Sequence, residues 1–112
     1  MSHHDELFYI EGIKEHIAAI KGYLPADKQD YLADQMVQDA VLMRLLALGE
    51  EINNLSDEFK DAHPDLPWYK IVGLRNRLAH DYFVVDTDVV WDIVAGGALD
   101  ELARVIDQTL TS

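Results

Sequence analysis

Apolar residues recur at steps of three and four along most of the chain, the spacing that lines one face of a helix. Ile10, Ile13, Ile17, Ile20 and Leu24 form the first such stripe. Pro25 predicts its end, because proline disfavours the helical conformation of the residue before it. A second helix is predicted to start between Lys28 and Tyr31 and to run to about Phe59. Val37, Val41, Leu45, Leu48, Ile52, Leu55 and Phe59 are its stripe. Leu42, Met43, Leu46 and Gly49 fall outside that stripe, so "AVLMRLLALG" is apolar on nearly all sides. Such a helix is expected to be covered twice, by its own bundle and by something else, for which a second subunit is the simplest candidate.

"DAHPDLPWYK" interrupts the pattern. Asp65 is placed to cap a third helix whose first turn holds Pro67. "VVDTDVV" follows, with Asp86 or Thr87 as the cap of a fourth helix. Val90, Ile93, Val94, Leu102, Val105 and Ile106 give that helix an apolar face. Gly96 and Gly97 weaken its middle and predict a kink or a close contact. Strand signals are weak, and there is no internal repeat or low-complexity tract. Short connections predict antiparallel neighbours, hence an all-α, up-and-down four-helix bundle forming one domain over residues 1–112.

Charge narrows the function classes. Nine Lys and Arg face 21 Asp and Glu, a net −12. A general nucleic-acid coat is usually basic, since phosphate contacts supply most of its affinity. RNA would have to be met through a local basic site, and a protein partner with a basic face is favoured. There is no cysteine, so neither a disulfide frame nor a thiolate metal site is available. No apolar run approaches the roughly 20 residues of a membrane span. "MSHHDELFYI" lacks the basic and apolar regions of a secretion signal, so a cytoplasmic location without membrane contact is expected. His3 and His4 read as a solvated start rather than a metal site.

Two of the nine Lys and Arg, with a histidine and a tyrosine, fall within eight residues of "LRNRLAHDYF", Leu74 to Phe83. On a wheel of about 100° per residue with Ile71 at zero, Val72, Leu74, Leu78 and Ala79 mark the apolar arc. Arg75 falls at about 40°, inside it. Asn76 and His80 fall together on the other side. A cation in an apolar stripe is costly unless it is paired or faces a wet cleft. The plain reading is an ion pair with Glu50 or Glu51, or a snorkelling stem. Arg77 has Asp81 four residues on, the spacing of a surface ion pair. His80 reads plainly as a partly exposed histidine and Tyr82 as a packing residue near a helix end. His16 lies beside the first stripe and reads as packing or surface. Glu50, Glu51, Asp57 and Glu58 lack the Glu-x-x-His pairing of a di-metal bundle and read as helix solvation.

Taken together, Arg75-Asn76-Arg77-Leu78-Ala79-His80-Asp81-Tyr82 resembles the Arg-x-x-x-x-His-x-Tyr signature of the HepT family of HEPN-domain toxins, in which Asn is also the usual residue after the arginine. The resemblance extends from Leu48 to Val94, with Gly49-Glu50, Pro64, Pro67-Trp68, Leu74 and Trp91 where the family's pattern expects them. It implies a HEPN-type bundle, with room for a short extra helix, that dimerises through helix faces into a homodimer or higher oligomer. It also implies a metal-independent endoribonuclease needing no cofactor. In that family the arginine and histidine of both subunits meet in a cleft at the dimer interface, which would place Arg75 at a seam rather than in a core.

The chemistry fits those side chains. Cleavage beside a 2′-hydroxyl without metal needs a proton carrier near neutral pH and a cation for the developing phosphorane charge. Histidine suits the first, with an ordinary pKa of about 6.5. Arginine suits the second through its planar, permanently charged fork. Two His80 side chains in a dimer would supply an acid and a base. Asn76 would orient the imidazole or the phosphate, while Arg77 and Lys70 would add RNA contacts. The resemblance further implies a type VII-like toxin–antitoxin pair with an MntA-type nucleotidyltransferase, which attaches AMP to the motif tyrosine, here Tyr82. RNA, as tRNA or mRNA, is the implied substrate. The alternatives are a catalytically idle HEPN subunit that binds a nucleotidyltransferase, and a plain helical dimerisation module.

Overall fold

The first apolar stripe becomes α1 (His3–Tyr23), ending two residues before Pro25. Ile10, Ile13, Ile17 and Ile20 all lie buried along its inner face. The computed structural model describes residues 3–81 and 85–111, with side chains from Glu6 onward. Among the described residues every regular element is a helix.

The long second helix expected over 28–59 is three helices, α2 (Lys28–Leu32), α3 (Gln35–Asn53) and α4 (Asp57–Asp61). Two local caps cause the breaks. Asp34 turns extended, and its carboxylate accepts from the Val37 N–H at 3.1 Å, which starts α3 afresh. Ser56 does the same for α4, its hydroxyl accepting from the Phe59 N–H at 3.1 Å. The stripe passes through the second break without losing phase. Val41, Leu45, Leu48, Ile52 and Leu55 are all buried, so periodicity alone does not mark where α3 stops.

The third helix is α5 (Trp68–His80). Its cap residue is Pro67, with no side-chain hydrogen bond, and Asp65 stays exposed rather than capping. The start is held by the Trp68 indole instead. Its Nε1 donates to the carbonyls of Lys60 (3.1 Å) and His63 (2.9 Å), pinning the turn after α4 beneath the helix. Asp86 caps α6 (Thr87–Ala95) as expected, accepting from the Asp88 N–H at 2.8 Å. The double glycine makes a full break rather than a kink. Gly97 takes φ +94, a conformation few other residues adopt, and α7 (Ala98–Thr111) begins beyond it.

Side-chain links fix the directions of the helices. Glu6 reaches Ser56 while His16 reaches Arg44, so α1 runs antiparallel to α3. Lys14 pairs with Asp107 at 3.4 Å and Lys21 with Asp100, so α1 is antiparallel to α7 as well. Helix α5 rests chiefly on α3. Tyr31 and Trp91, with ring centroids 5.2 Å apart, join α2 to α6. The result is an all-α up-and-down bundle of α1, α3, α5 and α6–α7, with α2 and α4 as short additions. Among the described residues no helix is long and apolar enough to cross a membrane.

The "AVLMRLLALG" stretch is covered only in part within one chain. Leu42 and Leu46 pack against the core, and Gly49 is buried. Met36 and Met43, seven residues apart on the outer face of α3, are 78% and 67% exposed.

Candidate functional site

Arg75 projects from α5 toward α3, and three neighbours determine its position. The first is an absence. Gly49 of α3 has no side chain because the stem of Arg75 fills that space: a Cβ there would lie 2.8 Å from Arg75 Cγ and closer still to Arg75 Cβ. The second is Glu50, whose Oε2 pairs with Arg75 Nη2. The third is Asn76, whose Oδ1 accepts from Arg75 Nη1 at 2.8 Å. The guanidinium is thus held at both ends of its fork, with its side chain 28% exposed. Arg75 Nε is buried and has no hydrogen-bond partner. Five N–H groups sit on a guanidinium, so one donor per terminal nitrogen remains available after both contacts are made. The arginine that the wheel placed in the apolar arc is accommodated by a missing side chain and a carboxylate on the neighbouring helix.

His80 is the last residue of α5, which stops because Asp81 turns extended while its N–H still bonds to the Arg77 carbonyl at 2.8 Å. His80 is exposed and lines a cleft of about 340 Å³ with Asn76, Arg77 and Asp81. Asn76 therefore belongs to both groups, bonded to Arg75 and lining the cleft of His80. Its carbonyl oxygen is taken by the arginine, so what it can offer to a ligand is its amide N–H. Among the described residues, Asn76, Arg77, His80 and Asp81 line this cleft and Arg75 does not; Asn76 connects the two groups.

Lys70 and Arg77 are exposed on α5. Among the described residues neither enters an ion pair, and the Arg77–Asp81 pair expected from spacing is not formed. Tyr82 lies outside the described residues, and so do the side chains of His3 and His4.

The remaining polar groups are structural. His16 Nδ1 lies 3.0 Å from Arg44 Nη1 across the α1–α3 seam. Burial, and then the Arg44 charge, hold its pKa below the ordinary value. Glu51 Oε2 is buried with no hydrogen-bond partner. Desolvation, and then the neighbouring Glu50, push its carboxyl up. Asp57 and Glu58 are exposed in the first turn of α4, where they complement the positive end of the helix. Among the described residues no three His, Asp or Glu side chains are grouped to hold a metal ion. The spacing of the motif pointed to Arg75, Asn76 and His80, but not to Gly49 as the space that admits the arginine. Its sequence signals were its place in the family resemblance and a glycine in a long apolar helix, a position that costs about 1 kcal/mol relative to alanine and therefore asks for a reason.

The ribonuclease HepT-like family model matches residues 13–109. A protein of Thermococcus cleftensis named "Probable ribonuclease HepT" is 37% identical over 94 residues, 83% of each chain. A "Putative RNase" of Caldanaerobacter subterraneus is 33% identical over 82 residues, covering 73% of this chain and 72% of that one. Another from Methanocaldococcus jannaschii is 32% identical over 76 residues, covering 68% and 63%. No solved structure matches the chain significantly.

Proposed function

Because the chain belongs to the ribonuclease HepT-like family, we propose that it is a metal-independent endoribonuclease toxin, acting as a single HEPN domain at a site shared between two copies. The observation that carries this reading is the held arginine beside the histidine cleft: Arg75 fixed by Glu50 and Asn76, with Asn76 also lining the cleft of His80.

The steps follow from those groups. One His80 takes the proton of the 2′-hydroxyl, and the 2′ oxygen attacks phosphorus. The bond to the 5′ oxygen breaks as a second histidine returns a proton to that oxygen, leaving a 2′,3′-cyclic phosphate and a 5′-hydroxyl. Arg75 and the Asn76 amide stabilise the charge that gathers on the phosphoryl oxygens. Lys70 and Arg77 hold flanking phosphates. A single chain has one His80, and among the described residues that line its cleft Arg75 is not included. A second copy supplies the other proton carrier and closes the arrangement. Exposed Met36 and Met43 on α3 support such a seam.

Regulation is proposed at Tyr82, two residues beyond His80. An MntA-type nucleotidyltransferase would let the phenol oxygen attack the α-phosphorus of ATP, releasing pyrophosphate and a proton. The attached AMP would put a bulky anion where RNA phosphate must sit. The runner-up is an idle binding subunit for the same partner.

The test is cleavage of tRNA and mRNA by the purified chain in EDTA. The proposal expects cleavage by the wild type and none by His80→Ala or Arg75→Ala, both folded by circular dichroism. Cleavage that survives loss of His80, or that disappears with chelator, overturns the chemistry. Intact mass after incubation with a cognate nucleotidyltransferase, ATP and Mg²⁺ checks Tyr82. The wild type should gain one AMP and Tyr82→Phe none; equal modification of both rejects that site.

A further inference from the structure

Helix α5 differs electrostatically from everything around it. Trp68–His80 contains Lys70, Arg75 and Arg77 and no acid. The rest of the chain therefore carries the whole of the net −12 and three negative charges more. Arg75 is neutralised by Glu50, but Lys70 and Arg77 form no ion pair among the described residues. Four of the other Lys and Arg side chains, Lys14, Lys21, Lys28 and Arg104, are each paired with an acid. A polyanion approaching this molecule is repelled nearly everywhere and attracted to this helix.

The same helix exposes an aromatic ring that packing does not explain. Tyr69 is 90% exposed. On the wheel it falls at about 160°, with Gly73, Asn76 and His80 at about 200°, 140° and 180°. These four make one outward ridge that ends in the candidate cleft. Gly73 keeps the ridge low: a Cβ there would meet nothing within 4 Å, and the space above it is open. Lys70 and Arg77, seven residues apart at about 260° and 240°, form a parallel line along one flank. From Tyr69 to His80 the helix rises about 16 Å, room for four or five nucleotides of stacked strand at about 3.4 Å each, and fewer if extended.

We infer that the outer ridge of α5 is a docking strip for single-stranded RNA, with Tyr69 stacking an unpaired base several nucleotides from the scissile bond and Lys70 and Arg77 tracking the intervening phosphates. The inference rests on the ribonuclease reading and adds a specificity element to it. Base–aromatic stacking accepts any base, so the strip selects unpaired strand over duplex rather than one sequence. An exposed ring on a rigid helix costs little conformational entropy on binding, since it carries only two side-chain torsions. The ridge is open because α5 leans mainly on α3 and turns its other side outward.

Binding should be measured in the His80→Ala background, so that cleavage does not intervene, by anisotropy of a fluorescein-labelled oligouridylate. Tyr69→Ala is expected to weaken binding roughly 5- to 150-fold, the contribution of one stacked base, while Tyr69→Phe and Tyr69→Trp retain it. Lys70→Gln and Arg77→Gln should each flatten the dependence of affinity on salt. With His80 intact, Tyr69→Ala should raise KM for long RNA and leave kcat unchanged, and cleavage of a dinucleotide should not respond. If the parent binds RNA and Tyr69→Ala binds equally well, the strip is wrong while the ribonuclease reading stands. A parent that binds no RNA overturns both. If Tyr69→Ala instead lowers the oligomeric state in sedimentation, the ring belongs to a contact between copies and the inference fails.

Discussion

Replacing Gly49 with alanine tests whether the arginine is placed by steric design. In an open helix position this change stabilises, by about 1 kcal/mol. Here the new Cβ would stand 2.8 Å from Arg75 Cγ and nearer to Arg75 Cβ, whereas carbon atoms prefer about 3.5–4.0 Å. Both Cβ atoms are fixed to backbone, so no rotamer relieves the overlap. Helices α3 and α5 must part by roughly 1 Å. Overpacking of this kind costs about 1–3 kcal/mol, and the upper half applies because the clash is rigid. After the propensity gain, the net loss is about 1–2 kcal/mol. Parting the helices also loosens the hold of Glu50 on Arg75, so RNA cleavage should fall further than stability does. Gly73→Ala is the control on the site helix itself. Nothing lies within 4 Å of that position, so it should gain about 0.5–1 kcal/mol. Urea unfolding of the two variants should move in opposite directions. A Gly49→Ala chain as stable as Gly73→Ala and fully active would refute the close-approach argument.

Two further outcomes are expected. Glu51 has a raised pKa in the folded chain. The native state therefore holds this proton to higher pH than the unfolded chain does, and stability falls as pH rises from the ordinary Glu value through the raised one. Glu51→Gln removes that loss. Its melting temperature should exceed the wild type's at neutral pH, and the gap should close in acid; a gap independent of pH contradicts the assignment. For the proposed seam, Met36→Glu with Met43→Glu should leave the helical signal intact and shift sedimentation from dimer to monomer, while an unchanged dimer would place the interface elsewhere.

Much of this architecture is legible in spacing. The α1 stripe, the α3 stripe and the α6 cap at Asp86 are where periodicity and capping residues put them. Other features depend on competition that a stripe cannot report. Asp34 and Ser56 each capture a backbone N–H strongly enough to split one apolar run into three helices, although the run keeps its phase. Asp65 has the right identity for a cap, but the helix starts at Trp68 and Pro67 occupies the cap position, two residues beyond it. At the site, Arg75 stood out as a charge in an apolar arc, and Glu50 was a candidate partner. The reason the arc tolerates it, a missing side chain at Gly49, requires knowing that α3 and α5 touch at that level. That contact joins residues far apart in sequence, so the glycine alone does not show what fills its space.

The proposed shared site requires His80 from two chains at once. Mixing wild-type and His80→Ala subunits under conditions that allow exchange, and following RNA cleavage in EDTA against the wild-type fraction, tests it most directly. If each working cleft requires a histidine from both chains, only wild-type pairs are active, and activity falls as the square of the wild-type fraction. A straight-line decline would mean that each chain cuts RNA by itself, and the shared-site account would be wrong.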